Sequence, residues 1–218
     1  MIFLSGGGNA EQSKKIDDAW VDSLAQYEGS VVAYVPFAQR PERYAAAVEW
    51  FLQSYSDRLK GWKIQPVLQS LDEIEWADMA GIYIGGGNTQ RLKDRLTEDG
   101  DNIGKLTEYI NNDGSVYGGS AGAILLGKTI LTAPEVSPGD DNGIDLLGGM
   151  SVACHFGTSS GLSEAAVASI SRTSPVVALT EEAGMQYHLL GKITAFGADV
   201  PVWENGAVAY TVPCCDRS

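Results

Sequence analysis

Ser120 is the residue from which the chemistry of this chain can be built. It sits in Gly118-Gly119-Ser120-Ala121-Gly122. That G-x-S-x-G run holds a serine on a sharp strand-to-helix turn, its hydroxyl exposed at the carboxyl edge of a sheet. The flanking glycines are needed because side chains there would collide with the turn. The helix start aims backbone N–H groups and a positive dipole end at the same spot, which suits a developing oxyanion. Glycine-rich strand-to-helix turns also serve as packing or phosphate-binding turns, so the serine has to be judged by its partners.

A serine becomes a nucleophile when a base lies within hydrogen-bond reach and a third group orients that base. The chain has two histidines. His155 follows the strand-like Ser151 to Cys154 and precedes Phe156-Gly157, where a strand would run into a loop, at the sheet edge expected for Ser120. His188 lies in Gln186-Tyr187-His188-Leu189-Leu190, where an alternating strand would simply expose one polar residue. His155 is therefore the preferred base. Two carboxylates could orient it. Glu181, next to Glu182, follows the apolar run Val176 to Leu179, and strand ends are where catalytic groups of α/β sheets collect. Glu135 lies in the loop after the elbow helix and is the alternative.

The turn Gly85-Gly86-Gly87-Asn88-Thr89 also follows a strand and opens a helix. One N–H from it, together with that of Ala121, would give the two-donor hole that acyl transfer needs. Ser5-Gly6-Gly7-Gly8-Asn9 echoes this turn after the first strand and reads as structural or pocket-lining. No glycine-rich run fits the dinucleotide fingerprint or a P-loop with its lysine. Cys154 adjoins His155, but neighbours in a strand point to opposite faces, so the two cannot work as a nucleophile–base pair. No Cys/His/Asp cluster has metal-ligand spacing, and Asp140-Asp141 lacks the alternating ligands of a calcium loop. Neither a cofactor nor a metal is expected.

The elements that must position these groups alternate along the chain. Apolar runs at Ile2 to Leu4, Val31 to Val35, Lys63 to Val67, Gly81 to Ile84 and Ser115 to Tyr117 read as strands. Between them, Glu11 to Tyr27, Pro41 to about Leu59, a stretch from Thr89, and Ile103 to Ile110 read as helices. The pattern is an α/β three-layer sandwich, a mostly parallel sheet with helices on both faces. The second half differs. After the loop Ala133 to Asn142 come a small helix at Leu162 to Ser171 and strands at Val176 to Leu179, Lys192 to Phe196 and Ala207 to Val212. The last is entered through Asn205-Gly206, a type I′ hairpin signal, so the C-terminal hairpins are expected to be antiparallel. One domain spanning residues 1–218 is expected, its last few residues, beyond Cys214 and Cys215, loose.

Bulk properties narrow the function. A length of 218 residues suits one α/β domain with a full core, and 44% hydrophobic with 20% charged residues is ordinary for a soluble globular protein. A net charge of −13 argues against nucleic acid and against anionic membranes, since phosphate binding needs clustered Lys and Arg. Three cysteines make no disulfide framework, and Met1-Ile2-Phe3-Leu4 opens without a basic segment or cleavage site, so a cytoplasmic location is expected.

Gly85 to Leu92, then Gly118 to Ala123 about thirty residues on, then His155 after a strand, resemble the peptidase E (aspartyl dipeptidase) and cyanophycinase family of serine peptidases. The resemblance spans the first strand to about Asn205. It implies a class I glutamine-amidotransferase-like fold with serine in place of that fold's cysteine. It also implies Ser120 as nucleophile, His155 as base, and Glu181 or Glu135 as third member, Glu181 being the more general placement. Gly87 and Ala121 match the oxyanion donors, and Gly86, Asn88 and Gly119 beside them are expected to touch substrate. Aspartate-specific members carry an arginine on the helix after the histidine. Here that stretch reads Gly161-Leu162-Ser163-Glu164-Ala165-Ala166, and Arg172 lies further on. The resemblance thus implies a divergent member, acting on a small peptide or another amide, as a monomer or homodimer. The rival readings are a binding module holding a small anion on the same fold, and an amidotransferase-like component needing a partner subunit.

Overall fold

Apolar runs too short for helices become strands here, and the amphipathic stretches between them wind into helices. The computed structural model describes residues 1–98, 100–136, 139, 141–188 and 191–215. The first half runs β1 (Ile2–Ser5), α1 (Lys14–Leu24), β2 (Val31–Val35), α2 (Tyr44–Tyr55), β3 (Lys63–Pro66), β4 (Met79–Ile84), α3 (Thr89–Glu98), α4 (Asn102–Asn111), β5 (Val116–Gly119) and α5 (Ala121–Leu126). The second half runs β6 (Ser151–Ala153), α6 (Glu164–Ile170), β7 (Val176–Ala178), β8 (Gly184–Tyr187), β9 (Ile193–Phe196), β10 (Val200–Glu204) and β11 (Ala207–Val212).

The strands form two sheets. Seven are ordered β3-β2-β4-β5-β1-β8-β9, parallel from β3 to β1 and antiparallel from β1 to β9. Alternate residues of each strand point to opposite faces. Phe3, Val32 and Tyr117 pack with Ile16, Trp20 and Leu24 of α1 and Phe51 and Tyr55 of α2. Ile2, Leu4, Val35 and Val116 pack on the other face with Leu92, Leu106, Ile110 and the α5 residues Ala123 to Leu126. The chain therefore leaves β1 toward one face and leaves its neighbour β5 toward the other. That divergence opens a crevice at their carboxyl ends, the place where α/β sheets hold ligands.

The other four strands are ordered β11-β10-β7-β6. This differs from the sequence expectation, which placed the strand before His155 at the same sheet edge as Ser120. β6 and β7 pair in parallel, and β7 pairs antiparallel with β10, so the histidine arrives from a second sheet. The hairpins are antiparallel as expected. Asn205 and Gly206 both take positive φ (53° and 88°), as a type I′ turn requires.

Several element boundaries also move. α1 starts at Lys14 rather than Glu11 because the Asn9 side chain accepts from the amides of Glu11 and Gln12, closing a turn ahead of the helix. Pro41–Arg43 forms a separate 3₁₀ turn before α2. The chain end is held as far as residue 215, where Cys214 N–H donates to Asp199 Oδ1 and Cys215 N–H to the Ala195 carbonyl. The final residues 216–218, read as loose, lie outside the described residues, as does Asp140. No described helix is long and apolar enough to cross a membrane.

Candidate active site

Three glycine-rich turns leave neighbouring strands at the same level. Ser5 of β1 is in register with Gly119 of β5, and Ile84 of β4 with Gly118. Ser120 follows with φ 48° and ψ −106°, a conformation that ordinary residues avoid, so its side chain stands out of the sheet edge. The motif's outer glycines are both required by close approach. A Cβ on Gly118 would lie 2.7 Å from Ala123 N, and one on Gly122 2.4 Å from the Ile84 carbonyl oxygen.

The second sheet delivers the histidine. His155 also takes positive φ (53°), turning the chain out of β6. Its N–H donates to the Gly6 carbonyl at 2.9 Å, and Phe156 N–H donates to the Leu179 carbonyl, so the turn is pinned to both sheets. The imidazole then lies between two partners. Ser120 Oγ is 2.9 Å from Nε2, and Glu181 Oε1 is 3.1 Å from Nδ1. A carboxylate only accepts, so the proton belongs on Nδ1, leaving Nε2 to accept from the serine hydroxyl. Glu181 is itself steadied by Gln12 Nε2, 3.3 Å from Oε2.

Glu135 is engaged elsewhere. Its Oε1 accepts from Thr89 N–H at 2.8 Å, at the start of α3. Asn88 serves the same helix end, its Oδ1 accepting from Arg91 N–H and its own N–H donating to the Ala38 carbonyl. These groups cap a helix and do not line up on the histidine. Among the described residues the amides of Gly87 and Ala121 donate to no protein acceptor. Gln39 Nε2 donates to the Gly86 carbonyl at 2.8 Å. Because the peptide is planar, that bond turns the Gly87 N–H the opposite way. Gly86 stands close to the elbow, a Cβ there lying 3.3 Å from Ser120 Cβ.

The loop after β1 contributes more than sequence reasoning assigned. Gly7 has φ 95°, and a Cβ on it would lie 2.5 Å from His155 Cε1 and 2.9 Å from Ser120 Cβ. The imidazole packs against bare backbone. A run of three glycines directly after a strand was the visible signal. Cys154, by contrast, is buried under the elbow, its thiol donating to the Ser5 and Ser120 carbonyls, and burial pushes its pKa far up. His188 donates its N–H to the Lys192 carbonyl in the β8–β9 connection, away from the elbow. Among the described residues no cluster of three or more His, Cys, Asp or Glu gathers as a metal site.

A cavity of about 420 Å³ opens beside Ser120, bounded by Gly7, Gly86 and Gly119 and running under α1 and α2. That size suits a small-molecule ligand or one or two residues of a peptide.

The fold and site define an α/β protein with a hydrogen-bonded serine–histidine–glutamate line at a strand-to-helix elbow. A sequence profile of peptidase family S51 matches residues 1–183, and the chain belongs to that family. It is 35% identical to peptidase E of Actinobacillus pleuropneumoniae serotype 3 (strain JL03) over 141 residues, which cover 62% of this chain and 58% of that one. It is 35% identical to peptidase E of Haemophilus influenzae (strain ATCC 51907 / DSM 11121 / KW20 / Rd) over 121 residues, covering 54% and 53%. The alignments thus span little more than half of these relatives. Among solved structures, a peptidase from an acI-B1 Actinobacterium superposes with TM-score 0.73 at 17% identity, covering 99% of this chain and 94% of the other. A candidate peptidase E protein of Listeria monocytogenes EGD-e gives 0.63 at 18% identity, covering 89% and 96%. At such identities the structures speak for the fold alone.

Proposed function

We propose that this protein is a serine hydrolase that cleaves a small peptide or similar amide by acyl transfer to water, on a class I glutamine-amidotransferase-like sandwich. The observation that carries the reading is the unbroken line Ser120 Oγ–His155 Nε2 (2.9 Å) and His155 Nδ1–Glu181 Oε1 (3.1 Å). His155 Nε2 takes the hydroxyl proton as Ser120 Oγ attacks the carbonyl carbon, and Glu181 stabilises the imidazolium that forms. The N–H groups of Gly87 and Ala121 receive the oxyanion, each worth about 10²- to 10³-fold. As the intermediate collapses, the imidazolium passes its proton to the leaving amine. Water, deprotonated by His155, then releases the acid from the acyl-enzyme.

Substrate choice is set apart from aspartate-specific relatives. α6 carries no arginine, and Arg172 is packed beside the β10–β11 turn, where a Cβ on Gly206 would lie 3.0 Å from its Nε. Replacing Ser120 by Ala is expected to abolish hydrolysis and fluorophosphonate labelling while the melting temperature stays within a few degrees. Wild-type turnover in that variant, measured on a dipeptide library, would reject the mechanism.

A further inference from the structure

The cavity beside Ser120 has an aromatic wall and a buried carboxylate, and the mechanism uses neither. Tyr34, Tyr83 and Tyr117 stand in register on β2, β4 and β5, forming a row of phenols one step inside the catalytic edge. Tyr83 stacks on Tyr117 at 4.5 Å, and Tyr55 and Trp50 of α2 also line the cavity. The Tyr34 hydroxyl has no partner among the described residues. Beyond the phenols lies Asp17 of α1, 1% exposed.

Asp17 is held chiefly by hydroxyls. Tyr117 Oη donates to Oδ1 at 2.5 Å, Ser13 Oγ (2.9 Å) and Arg58 Nη1 (3.1 Å) donate to Oδ2, and the Tyr55 hydroxyl stands beside it as a further donor. Among the described residues its one cationic neighbour within hydrogen-bond distance is Arg58, a quarter exposed and sharing itself with Asp18. Burial pushes the Asp17 pKa up and outweighs the Tyr117, Ser13, Tyr55 and Arg58 groups that pull it down. An anion so placed gains from a further cation brought in through the cavity.

We infer that this cavity is a specificity pocket for a basic side chain of the substrate, anchored by the Asp17 carboxylate. The inference rests on the serine hydrolase reading above. Ser120, the tyrosines and Asp17 line the same cavity. A lysine or arginine entering it lays its methylenes against the rings and turns its N–H groups toward Asp17 and the phenol oxygens. At the rim, exposed Arg43 has no side-chain partner among the described residues, and it is placed to meet the terminal carboxylate that every small peptide carries.

The test compares Lys-Ala and Ala-Lys with their norleucine counterparts, which keep the methylene length and lose the charge. In one of the two orders the lysine peptide is expected to show a kcat/KM higher by about 30-fold or more, the scale of a buried charge pair. Asp17→Asn should bring that ratio close to one. Equal rates for lysine and norleucine in both orders, or a ratio unchanged in Asp17→Asn, would overturn the inference. Should the variant fail to fold, the wild-type protein still decides: lysinamide should raise its melting temperature more than norleucinamide, and equal shifts refute the pocket. Fluorophosphonate labelling of Ser120 separates the two readings. Labelling without a lysine preference sinks the pocket alone. Lysinamide stabilisation without labelling sinks the nucleophile alone.

Discussion

Glu181 and Glu135 are the same residue type at similar distances from His155 in the chain, yet their surroundings give them different work. Glu181 lies in the turn between β7 and β8, with one oxygen on His155 Nδ1 and the other on Gln12. Glu135 spends its carboxylate on the first amide of α3. Glu181→Gln is therefore expected to lower kcat by about 10²- to 10⁴-fold with little change in KM, because a neutral amide neither enforces the tautomer nor stabilises the imidazolium. Glu135→Ala should leave kcat within a few-fold and cost about 1 kcal/mol of stability, the scale of a lost helix cap. Steady-state kinetics with urea melts on both variants checks the pair, and a reversed outcome would exchange their roles. Sequence favoured Glu181 because strand ends collect chemistry. It could not show that Asn88 and Glu135 share one helix end, since that depends on where a loop far along the chain returns.

At the scale of elements, the loop after β1 is where sequence reading fell shortest. Its glycines were seen, but their purpose depends on a strand about 150 positions away. Gly6 receives His155 N–H, and Gly7 gives the imidazole its floor. Gly7→Ala should lower kcat at least tenfold and slow fluorophosphonate labelling, because φ 95° strains any L residue and the new Cβ occupies the imidazole's place. Circular dichroism should report an unchanged fold. Undiminished activity would mean that His155 sits elsewhere in solution. The hairpin at Asn205-Gly206 was legible because its turn chemistry is local. The membership of β6 and β7 in a second sheet was not, since three-residue apolar strands carry no mark of which neighbour they will pair with.

For the whole molecule, Asp17 links the candidate site to stability. Its folded pKa is raised, chiefly by burial, so the folded state holds its proton more tightly than the unfolded chain does. The sign follows: this group costs nothing below its unfolded value of about 4 and erodes stability as pH rises from there toward the folded value. Asp17→Asn lacks that penalty. The stability of the variant relative to wild type should therefore improve between pH 4 and pH 7, read from urea melts at both. A gap that stays constant or widens against the variant would contradict the raised pKa.

What was readable from residues alone was everything governed by neighbours in the chain: the alternation of strands and helices, the turn around Ser120 and the final hairpin. Each depends on periodicity, glycine conformations or turn chemistry within a few positions. Tertiary structure settled which distant groups meet. It brought a histidine from a second sheet onto Ser120, diverted Glu135 to a helix end, and set Asp17 beneath a row of tyrosines drawn from three strands. The physical reason is that such contacts come from strand register and helix packing, which a local pattern permits in several arrangements and only the closed core makes unique.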